Sequence, residues 1–306
     1  MIPASTPQST ILERLAQGEV LISDGASGTY LQQHGLEPGG CPEALNEAQP
    51  EIVKGMAAAF FEAGSDLVST NSFGGSKFVL KNYGLAGRVR ELNRLAAKHA
   101  RGEAPAGCFV VGSLGPSGEF LEPLGSVSED EMVEAFHEQI EALVEGGVDA
   151  VLIETMTALE EATLAVRTAR EFSGLPVFCS MTFDKGPRGY FTMMGVTPTQ
   201  AVAGLRDAGA DVVGTNCGSG IVDVIAVFRE MREADDGHLL VQSNAGIPIF
   251  QGGELVYPDS PEIMAEHYQT LLKEGVAIVG GCCGTGPGHI RSLAALAGRN
   301  QARTKR

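Results

Sequence analysis

The chain has 306 residues and a formal net charge of −16, from 22 Lys and Arg against 38 Asp and Glu. That excess repels phosphate backbones, and no Lys/Arg stripe with interleaved aromatics offsets it, so no nucleic-acid partner is expected. No apolar run approaches the roughly 20 residues that span a bilayer, and the opening MIPASTPQST carries no basic, apolar signal region, so no membrane association and a soluble cytoplasmic protein are expected.

In chain order, residues 9 to 17 (STILERLAQ) predict a short leading helix over a barrel floor. Eight short apolar runs of strand type follow: VLISD (20 to 24), DLVST (66 to 70), FVVGS (109 to 113), AVLIET (150 to 155), VFCSM (177 to 181), DVVGTN (211 to 216), LLVQSN (239 to 244) and AIVGG (277 to 281). A phrase introduces four of them: Ala63-Gly64-Ser65-Asp66, Gly146-Gly147-Val148-Asp149, Ala208-Gly209-Ala210-Asp211 and Glu274-Gly275-Val276. Each reads as a helix end, a glycine in the left-handed C′ position and the start of a strand buried on both faces. Between the strands the pattern is helical. Ile263, Met264, His267, Tyr268, Leu271 and Leu272 make one apolar stripe, Ser128 with Glu131 makes a capping box, and Thr197-Pro198 and Ser260-Pro261 mark helix starts. The last helix is predicted at about 287 to 297, followed by a short basic tail. Eight strands alternating with helices predict a single-domain α/β fold, the (β/α)8 TIM barrel, over residues 1 to 306 with its core at about 12 to 297.

In such a barrel, chemistry sits at the C-terminal ends of the strands. Asp24-Gly25-Ala26-Ser27-Gly28 follows the first strand there, Asn71 the second, Ser113-Leu114-Gly115 the third, Glu154 the fourth, Asn216-Cys217 the sixth, Asn244 the seventh and Cys282-Cys283 the eighth. Cys217, Cys282 and Cys283 all lie beside glycines, and Gly280, Gly281 and Gly284 permit the turn that lets two adjacent thiols face one ion. Three thiolates with an open fourth position suit a catalytic Zn2+; a vicinal redox pair or inert core thiols are the competing readings. Such an ion is a mild Lewis acid that favours a soft guest, so the reaction expected is alkylation of a bound thiol. Asp24 and Glu154 suit an ammonium group, and backbone N–H groups of Gly25 to Gly28, or of Ser113 to Gly115, suit a carboxylate, which together describe an amino-acid thiol. Cys108 and Cys179 read as core residues and Cys41 as a loop residue, while the six scattered histidines stay outside the site.

The runs DGASGT, TNSFGGSKFVLKNYGL, GSLGPSG, LIET, GTNCG and GGCCGT resemble the homocysteine S-methyltransferase family, most of all the homocysteine-binding barrel of cobalamin-dependent methionine synthases. The resemblance covers residues 12 to 297. It implies Zn2+ held by the catalytic thiolates Cys217, Cys282 and Cys283, homocysteine as methyl acceptor, and methionine as product. It implies too that Asp24 and Glu154 hold the substrate amino group, that Asn71 and Asn216 line the pocket, and that Asn244 fills the fourth metal position when substrate is absent. No DxHxxG corrinoid signature occurs and no long C-terminal extension of the betaine-using branch follows. The donor expected is therefore a methyl-corrinoid on a separate protein, then S-methylmethionine, then S-adenosylmethionine. The second reading is a thiol-presenting subunit that turns over only when docked on a corrinoid partner. A zinc hydrolase would need His or Asp ligands that the pattern does not supply.

Overall fold

The structure, a computed structural model, describes residues 9–252 and 254–298, so the basic tail lies outside the described residues. Eight strands form one parallel sheet: β1 (Leu21–Ile22), β2 (Leu67–Ser69), β3 (Phe109–Leu114), β4 (Ala150–Met156), β5 (Val177–Met181), β6 (Val212–Cys217), β7 (Leu239–Ser243) and β8 (Ile278–Gly281). They run in sequence order around the sheet from β2 to β8, with β1 beside β8. The long helices between and after them are α1 (Pro50–Ala63), α2 (Val89–Glu103), α3 (Glu129–Gly146), α4 (Leu159–Phe172), α5 (Pro198–Ala208), α6 (Ile221–Ala234), α7 (Pro261–Lys273) and α8 (Pro287–Leu296), with shorter ones at Ser27–Gln33, Leu45–Ala48 and Lys77–Lys81. This is the TIM barrel that the eight strand signals predict.

The recurring Gly-x-Asp phrase has a physical reason. Gly64, Gly147 and Gly209 close α1, α3 and α5 at φ of 109°, 97° and 104°. The backbone N–H of Asp66, Asp149 and Asp211 then donates to the C=O of Ile22, Val110 and Val177 on the preceding strand at 2.7, 2.7 and 2.8 Å. Each carboxylate accepts the N–H of that same residue, at 2.9, 2.7 and 2.8 Å. Arg14, Arg101 and Arg170 complete the three clamps. In the fourth copy Ala277 keeps the backbone bond to Leu239 at 2.9 Å and has no carboxylate to add.

The clamp matters most at the seam. The first strand, expected over 20 to 24, is reduced to two residues, because side chains replace the ladder: Asp66 joins Ile22, and Asp24 Oδ2 accepts the Ser69 N–H at 2.7 Å. Asp66 is fully buried beside the Arg14 guanidinium at 2.8 Å. Asp66→Ala leaves the Ile22 N–H without its acceptor in the interior, while Arg14 keeps Glu19 and Gly107 O, so a loss of about 1–3 kcal/mol is expected in urea unfolding. An unchanged midpoint would contradict the assignment of the seam to this residue.

Inside the barrel the two ends differ. The floor is apolar, built from Leu21, Phe109, Leu152, Phe178, Leu240 and Ile278, and the leading helix Ile11–Ala16 plugs it with Ile11 and Leu15. The opposite end carries Asp24, Ser69, Ser113, Glu154, Asn216 and Gln242, so that is where a polar ligand finds partners. Two antiparallel hairpins rise from this end, Asp184–Gly186 with Gly189–Phe191 after β5 and Ile249–Gln251 with Glu254–Val256 after β7. No described helix is long and apolar enough to cross a membrane.

Candidate functional site

Beyond Gly281 the chain stops being a strand and closes a turn. The Cys282 N–H donates to Ser243 O at 2.8 Å, and both the N–H and the hydroxyl of Thr285 donate back to Cys282 O, at 3.1 and 2.7 Å. Gly284 sits at φ +81° with the Tyr257 ring so near that a Cβ would lie 2.1 Å from it, so only glycine fits. The turn removes the alternation of a strand, and Cys282 and Cys283 both reach Cys217 at the end of β6.

The three sulfurs lie within 4.8 Å of one another, with Cys217 and Cys283 Sγ 3.9 Å apart. A zinc ion with 2.3 Å bonds in a tetrahedron sets its sulfurs about 3.8 Å apart. A disulfide needs about 2.05 Å, and all three thiols are free. Beside them Asn244 approaches the Cys217 thiol, donates to Gly218 O at 2.8 Å, and keeps a buried Oδ1 with no hydrogen-bond partner. Three soft donors within 4.8 Å of one another, one pair of them at tetrahedral spacing, next to an unspent oxygen donor fit Zn2+. Hydrogen bonds from Cys217 and Cys282, with a third from Tyr257, outweigh burial and bring the Cys283 thiol down to about 3. Cys282 moves the other way, well above the usual thiol range, as it donates hydrogen bonds to Cys217 and Cys283 and is buried.

The carboxylates stand across the cavity. Asp24 is buried and accepts from the Ser69 N–H at 2.7 Å, the Ser23 hydroxyl at 3.0 Å and the Ser69 hydroxyl at 3.2 Å. Burial nonetheless pushes its carboxyl up to about 6. Glu154 accepts one short bond from the Ser113 hydroxyl at 2.5 Å, and burial, with the charges of Asp24 and Cys217, raises it to about 7. Two carboxyls held this far above their ordinary range are under-compensated, and a cation brought between them restores the balance. The cavity they share has a volume of about 420 Å³. Gly25, Asn71, Phe73, Cys217, Cys282 and Cys283 contribute to its wall.

A local break in the sheet aims Glu154. The register of β4 against β5 shifts between Ile153 and Met156, and Thr155 has φ of +62°, as Cys217 has +63°. A β-branched residue there costs about 1–3 kcal/mol and needs an external hold. Asn216 is that hold: its Oδ1 accepts the Thr155 N–H at 2.9 Å, and its Nδ2 donates to Thr155 Oγ1 at 2.7 Å. Its Oδ1 also accepts from the Ser180 hydroxyl at 2.8 Å, and its Nδ2 lies 3.8 Å from Cys282 Sγ. Asn216 is expected from sequence in the pocket wall, but the structure places it fully buried behind that wall. Asn216→Ala is expected to weaken metal binding about 10- to 100-fold in a competitive chelator titration. Retention of full affinity would reduce Asn216 to a packing residue.

The other residues expected from sequence fall as follows. Asn71 lines the cavity with both amide hydrogens spent, on Pro42 O at 2.7 Å and Asn46 Oδ1 at 3.0 Å. Gly25 lines it too, packed so closely on Thr285 that a Cβ would lie 2.8 Å from Oγ1. The Ser113 and Gly115 amides are engaged, by Thr70 Oγ1 at 3.1 Å and Phe73 O at 2.8 Å, and the Ala26 amide by Thr285 O at 3.0 Å; of the two backbone cradles Gly25 to Gly28 is the one on the cavity wall. Cys108 and Cys179 are core residues, Cys41 is buried beside Glu43, and among the described residues no histidine lines the cavity. Sequence reasoning missed Ser69, Thr285, Tyr257 and Gln242; the first was discoverable from its place at a strand end, whereas nothing local marks Tyr257.

A parallel barrel gathers three thiols and two carboxyls at the C-terminal ends of its strands, beside a cavity of about 420 Å³. The chain belongs to the homocysteine S-methyltransferase family, whose model matches residues 21–297. Methionine synthase of Mycobacterium leprae (strain TN) is 35% identical over 309 residues, covering 94% of this chain and 25% of that protein. Methionine synthase of Mycobacterium tuberculosis (strain ATCC 25618 / H37Rv) is 33% identical over 305 residues, covering 93% and 25%. The chain thus spans about a quarter of the length of these relatives. The homocysteine methyltransferase MmuM of Escherichia coli in its metallated form shares the fold, with a TM-score of 0.77 at 20% identity over 94% of this chain and 99% of that one.

Proposed function

We propose that the protein transfers a methyl group to the sulfur of homocysteine, forming methionine, with Zn2+ held by Cys217, Cys282 and Cys283. The observation that carries this reading is the convergence of three sulfurs within 4.8 Å on one cavity with Asp24 and Glu154. When bound, zinc would supply the Lewis acidity that keeps a substrate thiol ionised at neutral pH. The chain's own residues do the rest. Asp24 and Glu154 take the ammonium, the turn Gly25 to Gly28 faces the carboxylate, and Asn216 fixes the strand ends that carry Glu154 and Cys217. The substrate sulfur attacks the methyl carbon, a carbon–sulfur bond forms, and the donor leaves with the electron pair of the bond that breaks. No general base on the chain is required at that step.

The methionine synthase relatives and the metallated MmuM support this reading, and the donor we propose is a methyl-corrinoid carried by a partner protein or a further domain. S-methylmethionine and S-adenosylmethionine are the alternatives, and a subunit active only when docked on a corrinoid protein is the second reading. We assign the protein to the cytoplasm, where thiolate ligands stay reduced. The test is a metal assay joined to turnover. Protein isolated under reducing conditions should hold about one zinc per chain and form methionine from homocysteine with one of these donors, scored by mass spectrometry. Metal-free protein indifferent to homocysteine would end the proposal, and turnover with a free small donor would end the docking-only reading.

A further inference from the structure

Among the described residues, three buried side-chain oxygens have no hydrogen-bond partner: Gln139 Oε1, Asn244 Oδ1 and Gln242 Oε1. Of these residues only Gln242 belongs to the cavity wall. It is 3% exposed, lies on β7 opposite Asn216 of β6 and Gly280 of β8, and donates through Nε2 to Ser23 Oγ at 3.1 Å. The Ser23 hydroxyl in turn donates to Asp24 Oδ1 at 3.0 Å, so its proton is committed and its oxygen can only accept from Gln242. That fixes the amide: the nitrogen faces Ser23, and the carbonyl oxygen is the end left over. The path from β7 to β1 exists because Gly280 has no side chain; a Cβ there would lie 2.8 Å from Ser23 Cβ and 3.3 Å from Gln242 Cγ.

We infer that Gln242 is a specificity-determining residue for the substrate's primary ammonium group, its Oε1 being the third acceptor beside Asp24 and Glu154. An ammonium has three N–H donors, and both oxygens of Asp24 and Oε1 of Glu154 already accept protein hydrogen bonds, so a further acceptor serves the third donor. A buried acceptor left unpaired is costly, and native proteins keep one where a ligand supplies the missing donor. The hydrogen-bonded row Gln242, Ser23, Asp24 ties this oxygen to one of the carboxylates it would serve, so the acceptors are held as a unit.

The inference rests on the proposed function, because it takes the cavity to bind an amino-acid thiol. The experiment is calorimetric titration of the zinc-loaded protein with homocysteine and with 4-sulfanylbutanoic acid, the same thiol without its amino group. Gln242→Met, close in shape and without acceptor, should weaken homocysteine about 10- to 100-fold and leave the desamino thiol unchanged, so the ratio between them collapses. Gln242→Glu keeps shape and acceptor, so its ratio should equal or exceed that of the wild type; it carries the test alone if the Met variant does not fold. A wild-type ratio in Gln242→Met, or equal losses for both thiols, overturns the assignment of Gln242 only. Wild-type protein that binds neither thiol overturns the proposed function with it.

Discussion

Cys283→Ala is expected to yield a folded protein that retains no zinc and forms no methionine above background. Cys283 is the thiol whose pKa its neighbours lower, through hydrogen bonds from Cys217, Cys282 and Tyr257. Zinc bound by thiolates in small proteins is held by about 10–16 kcal/mol in total, so each of three sulfurs carries several, and loss of one lowers affinity by more than about 100-fold. Cys179→Ala is the control, since that thiol is buried in the core away from the cavity. It should cost some stability and keep the metal. Stoichiometric zinc and full turnover in Cys283→Ala, measured by elemental analysis and mass spectrometry, would refute the role given to this residue.

Homocysteine binding is expected to weaken as pH falls through 7 and then 6. In the free protein Glu154 ionises at about 7 and Asp24 at about 6, both raised first by burial. An ammonium between them favours the ionised forms, so below these values binding must first expel protons. Relative to 4-sulfanylbutanoic acid, which releases the same thiol proton on binding, the association constant of homocysteine should therefore drop about tenfold per pH unit below 7, and more steeply below 6. Glu154→Gln should lower affinity about 10- to 100-fold at pH 8 and remove the upper step, leaving the one near 6. Calorimetry on protein whose zinc content is verified at each pH measures both effects. A flat profile between 5.5 and 8, or a mutant that keeps the upper step, would show that these carboxyls do not meet the ammonium.

Much of the architecture was written in short-range patterns. The Gly-x-Asp phrase announced strand starts because one aspartate both begins a strand and clamps its neighbour, and the Ser128–Glu131 capping box stands where α3 begins. Cys217, Cys282 and Cys283 could be foreseen to meet because strand ends in a closed barrel converge. What could not be read depends on contacts far apart in sequence. The Asn216 side chain was expected to face the pocket, yet the bulge in β4 gives it a left-handed Thr155 to hold instead. The two hairpins are only three residues to a strand, too short to show an alternation, and Tyr257 matters only because Gly284 folds beneath its ring.

The amide of Asn216 reaches past β5 to grip Thr155, one residue after Glu154, while its own backbone runs straight into Cys217. The acidic end and the sulfur end of the cavity are thereby bolted to a common crosspiece and cannot drift apart. For a thiol amino acid bound as proposed, that crosspiece works as a caliper. On the proposed binding mode, a molecule one methylene shorter is then expected to hold one jaw or the other more weakly than homocysteine holds both.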